Sequence, residues 1–263
     1  MAARIAQTFK QLRQTGKKAF IAFLTAGFPD LKTTAQLVVS FEQAGVDLIE
    51  LGIPFSDPIA DGPVIQQASF EALRKHTTLA AVLKMVAQVR AQGVKIPLCF
   101  MSYYNPILAY GVDRFVRDAK ASGVDGVIIP DMPFEESRVF SRLARKAGLD
   151  VILFVAPTTD KKRQAAICRS ARGFIYYVCV AGVTGQRSKL PADVASHVRL
   201  LKSRTKTPVC VGFGISTPQQ VKEIQRCADG AIVGSAIIKK IIACNGQKNL
   251  VQRVAAYVRT LKG

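Results

Sequence analysis

The sequence has no long apolar segment that would suggest a membrane or an export signal. None of its apolar runs approaches the roughly 18 residues that a membrane-spanning helix requires. The stretch that ends at Lys18 mixes charged residues with amphipathic spacing, whereas a secretory signal has an uninterrupted apolar core. These absences predict a cytoplasmic protein that does not contact a membrane.

Cysteine and histidine are too scattered to predict a disulfide framework or a metal site. The six cysteines occur singly, without a Cys-x-x-Cys pair, and several lie within apolar runs, which is typical of reduced core residues. The two histidines are His76 in a polar turn and His197 on a basic helix, and we expect both to be solvated. Without clustered ligands the sequence indicates no metal.

Acidic residues are few relative to basic ones. There are 18 Asp and Glu residues against 37 Lys and Arg residues, which gives a formal net charge of +19. Such a surplus suggests nucleic acid or other acidic partners. The basic residues are spread over predicted helices, however, as in Arg138, Arg142 and Arg145, with no basic tail. We interpret them as a solvated exterior that also attracts an anionic substrate, and we predict no nucleic-acid binding.

The chain does contain a repeated unit of helix, turn and apolar strand. Turns such as 44–47 and 122–125 place a glycine just before a strand, where it ends the preceding helix without a side-chain penalty. A short amphipathic helix is predicted over residues 3–12. Eight strands are predicted near residues 19–26, 46–53, 97–103, 124–130, 150–156, 173–180, 208–213 and 229–235.

The pattern of these strands predicts an α/β fold. Most strands are apolar throughout, which indicates a parallel sheet covered by helices. Eight strand and helix units predict one (β/α)8 TIM barrel over residues 1–263, with an extra N-terminal helix and no second domain. The longest interval, between the second and third strands, is predicted to hold an enlarged loop. Active sites of such barrels lie at the carboxyl ends of the strands.

Two acids mark the second strand and the loop after it. Glu50 lies inside an apolar run, and Asp61 follows on a proline-rich loop. Burying an unpaired carboxylate is costly or raises its pKa, so Glu50 indicates a role other than stability. Different surroundings should separate the two pKa values, which suits an acid/base pair. The alternative is a Glu50 that pairs with a cation and a solvated Asp61.

Glycine-bearing turns follow the last three predicted strands, at residues 182–185, 212–216 and 234–236. Barrels frequently bind phosphate with the loops after strands seven and eight and a helix N-terminus. Glycine lets backbone N–H groups approach the anion, and Ser235 adds a hydroxyl donor. The sequence therefore predicts a phosphate site there, with ordinary turn glycines as the alternative.

Several motifs resemble those of the tryptophan synthase alpha subunit family. They are LIELGIPFSDPIADGP at 48–63, MSYYNPI at 101–107, PDMP at 130–133, APTT at 156–159, GVTG at 182–185 and GFGI at 212–215. The resemblance covers essentially the whole chain. It implies a barrel enzyme that cleaves indole-3-glycerol phosphate to indole and glyceraldehyde 3-phosphate by a retro-aldol reaction. It also implies no cofactor in this chain, and an alpha2beta2 heterotetramer with a pyridoxal-phosphate-dependent beta subunit.

The resemblance also implies roles for individual residues. Glu50 would deliver a proton to indole C3, Asp61 would hold the indole N–H, and Tyr176 would orient Glu50. Thr184 would lie on a mobile loop. The remaining expectations are phosphate binding by Gly185, Gly214, Gly234 and Ser235, an indole pocket of Phe23, Ile65, Met101, Tyr103, Ile128 and Phe213, and contacts of Asp57 and Asn105 with the beta subunit.

Two other functions are compatible with parts of the pattern. One is a non-catalytic activator of a beta subunit, against which the presence of both acids argues. The other is a different phosphate-binding barrel, such as a sugar-phosphate isomerase or an indole-glycerol-phosphate synthase. That function requires a catalytic Lys or a second acid on the first or third strand, and the sequence offers none there.

Overall fold

Eight strands form the centre of the protein, whose computed structural model describes residues 4–179, 193–212 and 214–263. All eight predicted strands are present, although each is shorter than its apolar run. The strands are β1 (Ala19–Thr25), β2 (Leu48–Gly52), β3 (Leu98–Met101), β4 (Gly126–Ile128), β5 (Asp150–Val155), β6 (Ile175–Val178), β7 (Val209–Gly212) and β8 (Gly230–Val233).

The strands pair in parallel in the order of the chain, and β1 also pairs with β8, so the sheet closes into a barrel. This confirms the predicted (β/α)8 fold. The pairing also explains why the strands are short. β2 ends at Gly52, the last residue in register with both Thr25 of β1 and Met101 of β3. Beyond the last paired position the apolar runs continue as loops.

Helices cover the outside of the barrel, and an extra one precedes β1 as predicted. In the described ranges no helix is long and apolar enough to cross a membrane. The long interval between β2 and β3 holds two helices as well as a loop. The helices are α1 (Arg4–Gln14), α2 (Leu31–Gln43), α3 (Pro63–Arg74), α4 (Leu79–Ala91), α5 (Tyr104–Tyr110), α6 (Val112–Ser122), α7 (Ser137–Ala147), α8 (Lys161–Ser170), α9 (Val194–Arg204), α10 (Pro218–Cys227), α11 (Ser235–Cys244) and α12 (Leu250–Lys262).

The first helix closes the amino-terminal end of the barrel. Ile5 and Phe9 of α1 are buried in the cluster that fills the barrel interior. The Phe9 ring lies 6.1 Å from the ring of Phe174, measured between centroids. Because α1 covers this end, the carboxyl ends of the strands are where a site is expected.

Aspartates in the turns before strands tie neighbouring strands together at the same end. The carboxylate of Asp47 accepts a hydrogen bond from the N–H of Phe20, and that of Asp229 accepts one from the N–H of Val209. Asp125 likewise accepts from the N–H of Leu98. Each aspartate thus bonds to the strand beside its own, which helps to fix the register of the barrel.

Asp125 is also the centre of an ion pair network. Its Oδ2 lies 2.6 Å from Arg90 of α4, and its Oδ1 lies 2.8 Å from Arg4 of α1. The side chains of Asp125 and Arg90 are 5% and 10% exposed, respectively. This network therefore attaches both α1 and α4 to the turn before β4.

We predict that Asp125→Ala destabilises the protein by about 3 kcal/mol, because the nearly buried charge of Arg90 loses its carboxylate partner and keeps only backbone carbonyls. Urea unfolding followed by circular dichroism measures this change. The control is Glu71→Gln, which removes an exposed partner of Arg74 and should cost less than about 0.5 kcal/mol. Equal urea midpoints for the Asp125 variant and wild type would contradict the prediction.

Candidate active site

Most of the predicted site residues meet in one pocket at the carboxyl ends of the strands. The pocket has a volume of about 220 Å³ and is built from both the N-terminal and the C-terminal parts of the chain. Nine predicted residues line it, namely Phe23, Glu50, Asp61, Ile65, Met101, Tyr176, Gly214, Gly234 and Ser235.

Glu50 lies in the middle of β2, in register with Phe23 of β1 and Cys99 of β3. Its side chain is 0% exposed, and neither of its carboxylate oxygens accepts a hydrogen bond from the described part of the chain. Burial raises the pKa of Glu50 from its usual 4.5 to about 8. A carboxyl group with this pKa is protonated at neutral pH and can donate a proton into the pocket.

Asp61 has a different environment on the loop between β2 and α3. Its Oδ2 accepts a hydrogen bond from the Tyr103 hydroxyl at 3.1 Å, and the Tyr103 oxygen accepts one from the Ala60 N–H at 2.8 Å. Burial raises the pKa of Asp61, and the hydrogen bond from Tyr103 opposes that rise because it stabilises the carboxylate. Among the described residues, Asp61 therefore has a hydrogen-bond donor, whereas Glu50 has none.

The last two strands supply a polar wall of the pocket. Gly214 follows β7, and Gly234 follows β8 and precedes Ser235, the first residue of α11. As the N-cap of α11, Gly234 has no side chain to accept from the first-turn N–H groups. The Ile237 N–H donates to the Gly234 carbonyl. The N–H groups of Ser235 and Ala236 and the positive end of the helix dipole are suited to an anion in the pocket.

Tyr176 points into the barrel, and its neighbour Tyr177 points toward the helices, as strand alternation predicts. The expected hydrogen bond between Tyr176 and Glu50 is not formed, because the Glu50 oxygens have no partner among the described residues. The orienting role of Tyr176 is therefore not supported by a direct contact here. Burial, and then the charge of Glu50, raise the pKa of the Tyr176 hydroxyl.

Two glycines make room for the aromatic rings of the site. A Cβ at Gly212 would overlap the phenol oxygen of Tyr176, and a Cβ at Gly52 would come within 2.5 Å of the Phe23 ring. Any larger residue at either position would displace the ring from its place beside the pocket. Tyr176 and Phe23 thus depend on glycines in neighbouring strands.

The predicted indole pocket is partly corrected by the structure. Phe23, Ile65 and Met101 line the pocket, whereas Tyr103 lies behind Asp61 as its hydrogen-bond donor. The structure does not support the place of Ile128 in this pocket, because its side chain is fully buried in the barrel interior and is not part of the pocket wall. Its register partner on β3 is Met101, which is also predicted and does line the pocket.

Three predicted residues, Thr184, Gly185 and Phe213, lie outside the residues that the structure describes. The two predicted partner contacts, Asp57 and Asn105, are exposed. Asp57 lies on the loop between β2 and α3, and Asn105 is the second residue of α5.

Five residues of the pocket wall are not assigned individually from the sequence. Two of them, Gly212 and Ile215, belong to the turn at 212–216 where a phosphate site is predicted. Ile232 lies on β8 two positions before Gly234, which follows the strand, so alternation would have placed both on one side. The signal was therefore present in the strand period. The five residues are Ala60, Gly62, Gly212, Ile215 and Ile232.

The histidines differ from each other in the structure. His76 is exposed, as predicted, and has a positive φ of 57°. The prediction for His197 is wrong, because its side chain is half-buried and its Nδ1 lies 3.0 Å from the Tyr177 hydroxyl. The reason is that α9 packs His197 against the outward-facing side of β6. Within the described ranges, no group of three or more His, Cys, Asp or Glu residues could hold a metal ion.

The pocket combines a buried acid on a barrel strand with glycine turns and a helix N-terminus after the last two strands. This combination is typical of barrel enzymes that act on phosphorylated substrates. A sequence model of the family "Tryptophan synthase alpha chain" matches residues 9–263. The chain is 47% identical over 260 residues to the tryptophan synthase alpha chain of Geobacter sulfurreducens, covering 99% of this chain and 98% of that one. The chain belongs to the tryptophan synthase alpha chain family.

Solved structures agree with this assignment. The structure of tryptophan synthase subunit alpha from Legionella pneumophila is similar with a TM-score of 0.92 and 37% identity, covering 99% of this chain and 97% of that chain. A chain of the tryptophan synthase complex from Pyrococcus furiosus is similar with a TM-score of 0.84 and 34% identity, covering 92% of this chain and 97% of that chain.

We predict that Glu50→Gln changes how stability depends on pH. Because the folded pKa of about 8 lies above the usual 4.5, wild type loses stability as the pH rises through this window. The variant has no such loss. The stability of the variant relative to wild type should therefore increase with pH between these values, by up to about 1.4 kcal/mol per pH unit.

Urea unfolding of both proteins at several pH values between about 5 and 9 measures the difference. Glu71→Gln serves as the control, because Glu71 lies on the exterior and is 43% exposed. A constant difference between Glu50→Gln and wild type across the range would show that Glu50 titrates normally.

Proposed function

We propose that Glu50 and Asp61 carry out the reaction of the tryptophan synthase alpha chain family, the cleavage of indole-3-glycerol phosphate to indole and glyceraldehyde 3-phosphate. The enzyme is a carbon–carbon lyase of tryptophan biosynthesis that needs no cofactor of its own. The observation that carries the assignment of roles is the Glu50 carboxyl group, which lines the pocket without a hydrogen-bond partner in the described residues and has a pKa of about 8.

Glu50 has the properties that the first proton transfer needs. Cleavage of the bond between indole C3 and the glycerol chain requires a proton on C3, so that the electrons of the breaking bond return to the ring. A protonated carboxyl group facing the pocket can supply that proton. The resulting carboxylate can then take the proton of the glycerol hydroxyl as the bond breaks and the aldehyde forms. Glu50 is thereby returned to its starting state.

Asp61 has the properties that the indole nitrogen needs. Protonation of C3 places positive charge on the ring nitrogen, and an adjacent carboxylate stabilises this charge. The hydrogen bond from Tyr103 favours the ionised form of Asp61. Tyr103 also binds the N–H of Ala60, the residue before Asp61, and thus holds this part of the loop against the end of β3. We infer that Tyr103 positions Asp61 and does not line the indole pocket.

The phosphate group fits the wall that follows β7 and β8. Gly214, Gly234 and Ser235 line the pocket there, and the N-terminus of α11 favours an anion. Phe23, Ile65 and Met101 supply apolar surface for the indole ring. A substrate anchored by its phosphate at one end and its ring at the other would be held with C3 near Glu50, and this orientation reduces the entropic part of the barrier.

We predict that Glu50→Gln lowers indole formation from indole-3-glycerol phosphate by about 10²–10⁴-fold, because an amide cannot donate the C3 proton. In wild type, kcat/KM should decrease as the pH rises through about 8, where Glu50 loses its proton. Indole release measured by absorbance across this pH range tests both effects.

Glu71→Gln, on the outer surface, should retain the wild-type rate and pH profile. A Glu50 variant with near wild-type activity would refute the role of Glu50. An inactive wild-type chain that nevertheless stimulates a beta subunit would instead support the alternative of a non-catalytic activator, which the two acids and the family do not favour.

The partner of this chain is a tryptophan synthase beta subunit, which carries the pyridoxal phosphate, and the expected assembly is an alpha2beta2 heterotetramer. We propose that the surface around Asp57 and Asn105 contacts this subunit and that the assembly is cytoplasmic. Both residues are exposed, and each lies within three positions of a large exposed apolar side chain. Ile59 is 81% exposed and Leu108 is 55% exposed. Apolar side chains exposed this far are suited to burial by a partner.

We predict that Ile59→Ser weakens binding of the beta subunit by about tenfold, because the interface loses a buried apolar side chain. Titration calorimetry with a purified beta subunit measures this effect. Val139→Ser is a matched control, since Val139 is 77% exposed on α7 and lies outside the proposed surface. Equal weakening by both variants, or by neither, would contradict the assignment of this surface.

A further inference from the structure

A second depression lies between α7 and α8, over the outer side of β5. It has a volume of about 390 Å³, larger than the active-site pocket, and the two share no lining residue. Both helices pack on β5, and Val151 and Leu153 of that strand are part of the lining. We name this depression the arginine groove, because five arginines line it: Arg138, Arg142, Arg145, Arg169 and Arg172.

The charges of the arginine groove are almost uncompensated. In the described part of the chain, none of the five arginines forms a salt bridge, whereas the nearby Arg163 pairs with Glu135 at 2.9 Å. The lining contains no acidic residue and no lysine. Two arginines of the groove influence the carboxyl group of Asp150, the first residue of β5. Burial raises the pKa of Asp150, and the charges of Arg172, Lys120 and Arg145 oppose that rise.

Helix stability does not account for all of these arginines. Arg145 lies in the last turn of α7 and Arg169 in the last turn of α8, where a cation interacts favourably with the helix dipole. Arg138, in contrast, is the second residue of α7, where a cation is unfavourable. Arg142 lies four residues further along and thus on the same face of the helix. The helix therefore gives no reason for the cation at Arg138, whereas an anion bound in the groove would compensate for it.

The other walls of the arginine groove are suited to an organic molecule. Phe134, Leu149, Val151 and Ala166 contribute apolar surface, and Val151 and Ala166 are only half-buried in the present structure. A volume of about 390 Å³ is within the range of small-molecule sites, which combine apolar walls with a few polar anchors. Guanidinium groups bind phosphate oxygens through paired hydrogen bonds, which lysine cannot provide.

We propose that the arginine groove binds a small organic polyphosphate, with the phosphates on the guanidinium groups and the apolar part of the molecule on β5 and α8. Five cations around one depression repel one another, and a multiply charged anion relieves this repulsion. The apolar lining favours a phosphorylated organic molecule over an inorganic polyanion of equal charge. The site is separate from the catalytic pocket and does not depend on the reaction proposed for that pocket.

Binding of ATP to the full chain, in buffer without divalent cations, tests the proposal. Titration calorimetry should show that ATP binds at least about tenfold more tightly than either tripolyphosphate or adenosine, because each of these lacks one of the two recognised parts. Amide chemical shifts should change on ATP addition at residues 134–151 and 166–172. Shifts confined to residues 212–235, or equal affinities for ATP and tripolyphosphate, would overturn the proposal.

The double variant Arg138→Gln/Arg142→Gln should bind ATP at least about tenfold more weakly than wild type, since it loses two charge-assisted contacts. Both residues are exposed, and without ATP the thermal midpoint of the variant should equal or exceed that of wild type, because an unfavourable charge leaves the start of α7. This second measurement separates loss of binding from loss of folding.

The matched control is Arg13→Gln/Arg259→Gln, which removes the same charge from exposed positions of α1 and α12. Its affinity for ATP should remain within about twofold of wild type. Equal loss of affinity in both double variants would show that ATP responds only to net charge and would refute a specific site. Tighter binding of duplex DNA than of ATP, with the same dependence on Arg138 and Arg142, would also overturn the proposal.

Discussion

Pairing of β1 with both β2 and β8 is the constraint on which the site depends. It closes the sheet and places Glu50 of β2 and Gly234, just after β8, on either side of Phe23 of β1. Because all strands are parallel, their carboxyl ends lie at one end of the barrel, and α1 fills the other. The proposed proton donor and the proposed anion site, which are far apart in the chain, thus share one pocket. Asp47, Asp125 and Asp229, in the turns before strands, support this arrangement at the amino-terminal end by accepting hydrogen bonds from neighbouring strands.

Within that barrel, Glu50 illustrates the usual conflict between stability and activity. A carboxyl group with no hydrogen-bond partner in the described residues is an unfavourable element of a protein core. Burial raises its pKa to about 8, as the proposed role of a proton donor at neutral pH requires. Asp61 receives a hydrogen bond from Tyr103, which favours its ionised form. The different surroundings of the two carboxylic acids thus support the different roles that we propose for them.

The basic exterior of the protein is not uniform. Many of its cations pair with carboxylates or backbone groups, as Arg90 does with Asp125. Others are solvated, in line with the interpretation from composition. The arginine groove differs from both, because its cations converge on an apolar strand surface between two helices. Composition shows only that the whole chain has a surplus of positive charge. The structure shows that part of this charge is concentrated in the arginine groove, because α7 and α8 pack over β5.

The sequence by itself determined the eight strands, their parallel arrangement and the positions of Glu50 and Asp61, because apolar runs, turn glycines and an acid within a strand are local signals. Because side chains alternate along a strand, the sequence also determined that Tyr176 and Tyr177 point to opposite sides of β6. Only the tertiary structure decided which residues share a wall. It kept Met101 but not Ile128 in the pocket wall, made Tyr103 a hydrogen-bond donor to Asp61, placed His197 beside Tyr177 and left Glu50 without a hydrogen bond from Tyr176. Those outcomes follow from barrel register and helix packing, which bring together residues that are distant in the chain. No periodic pattern in the sequence predicts such contacts.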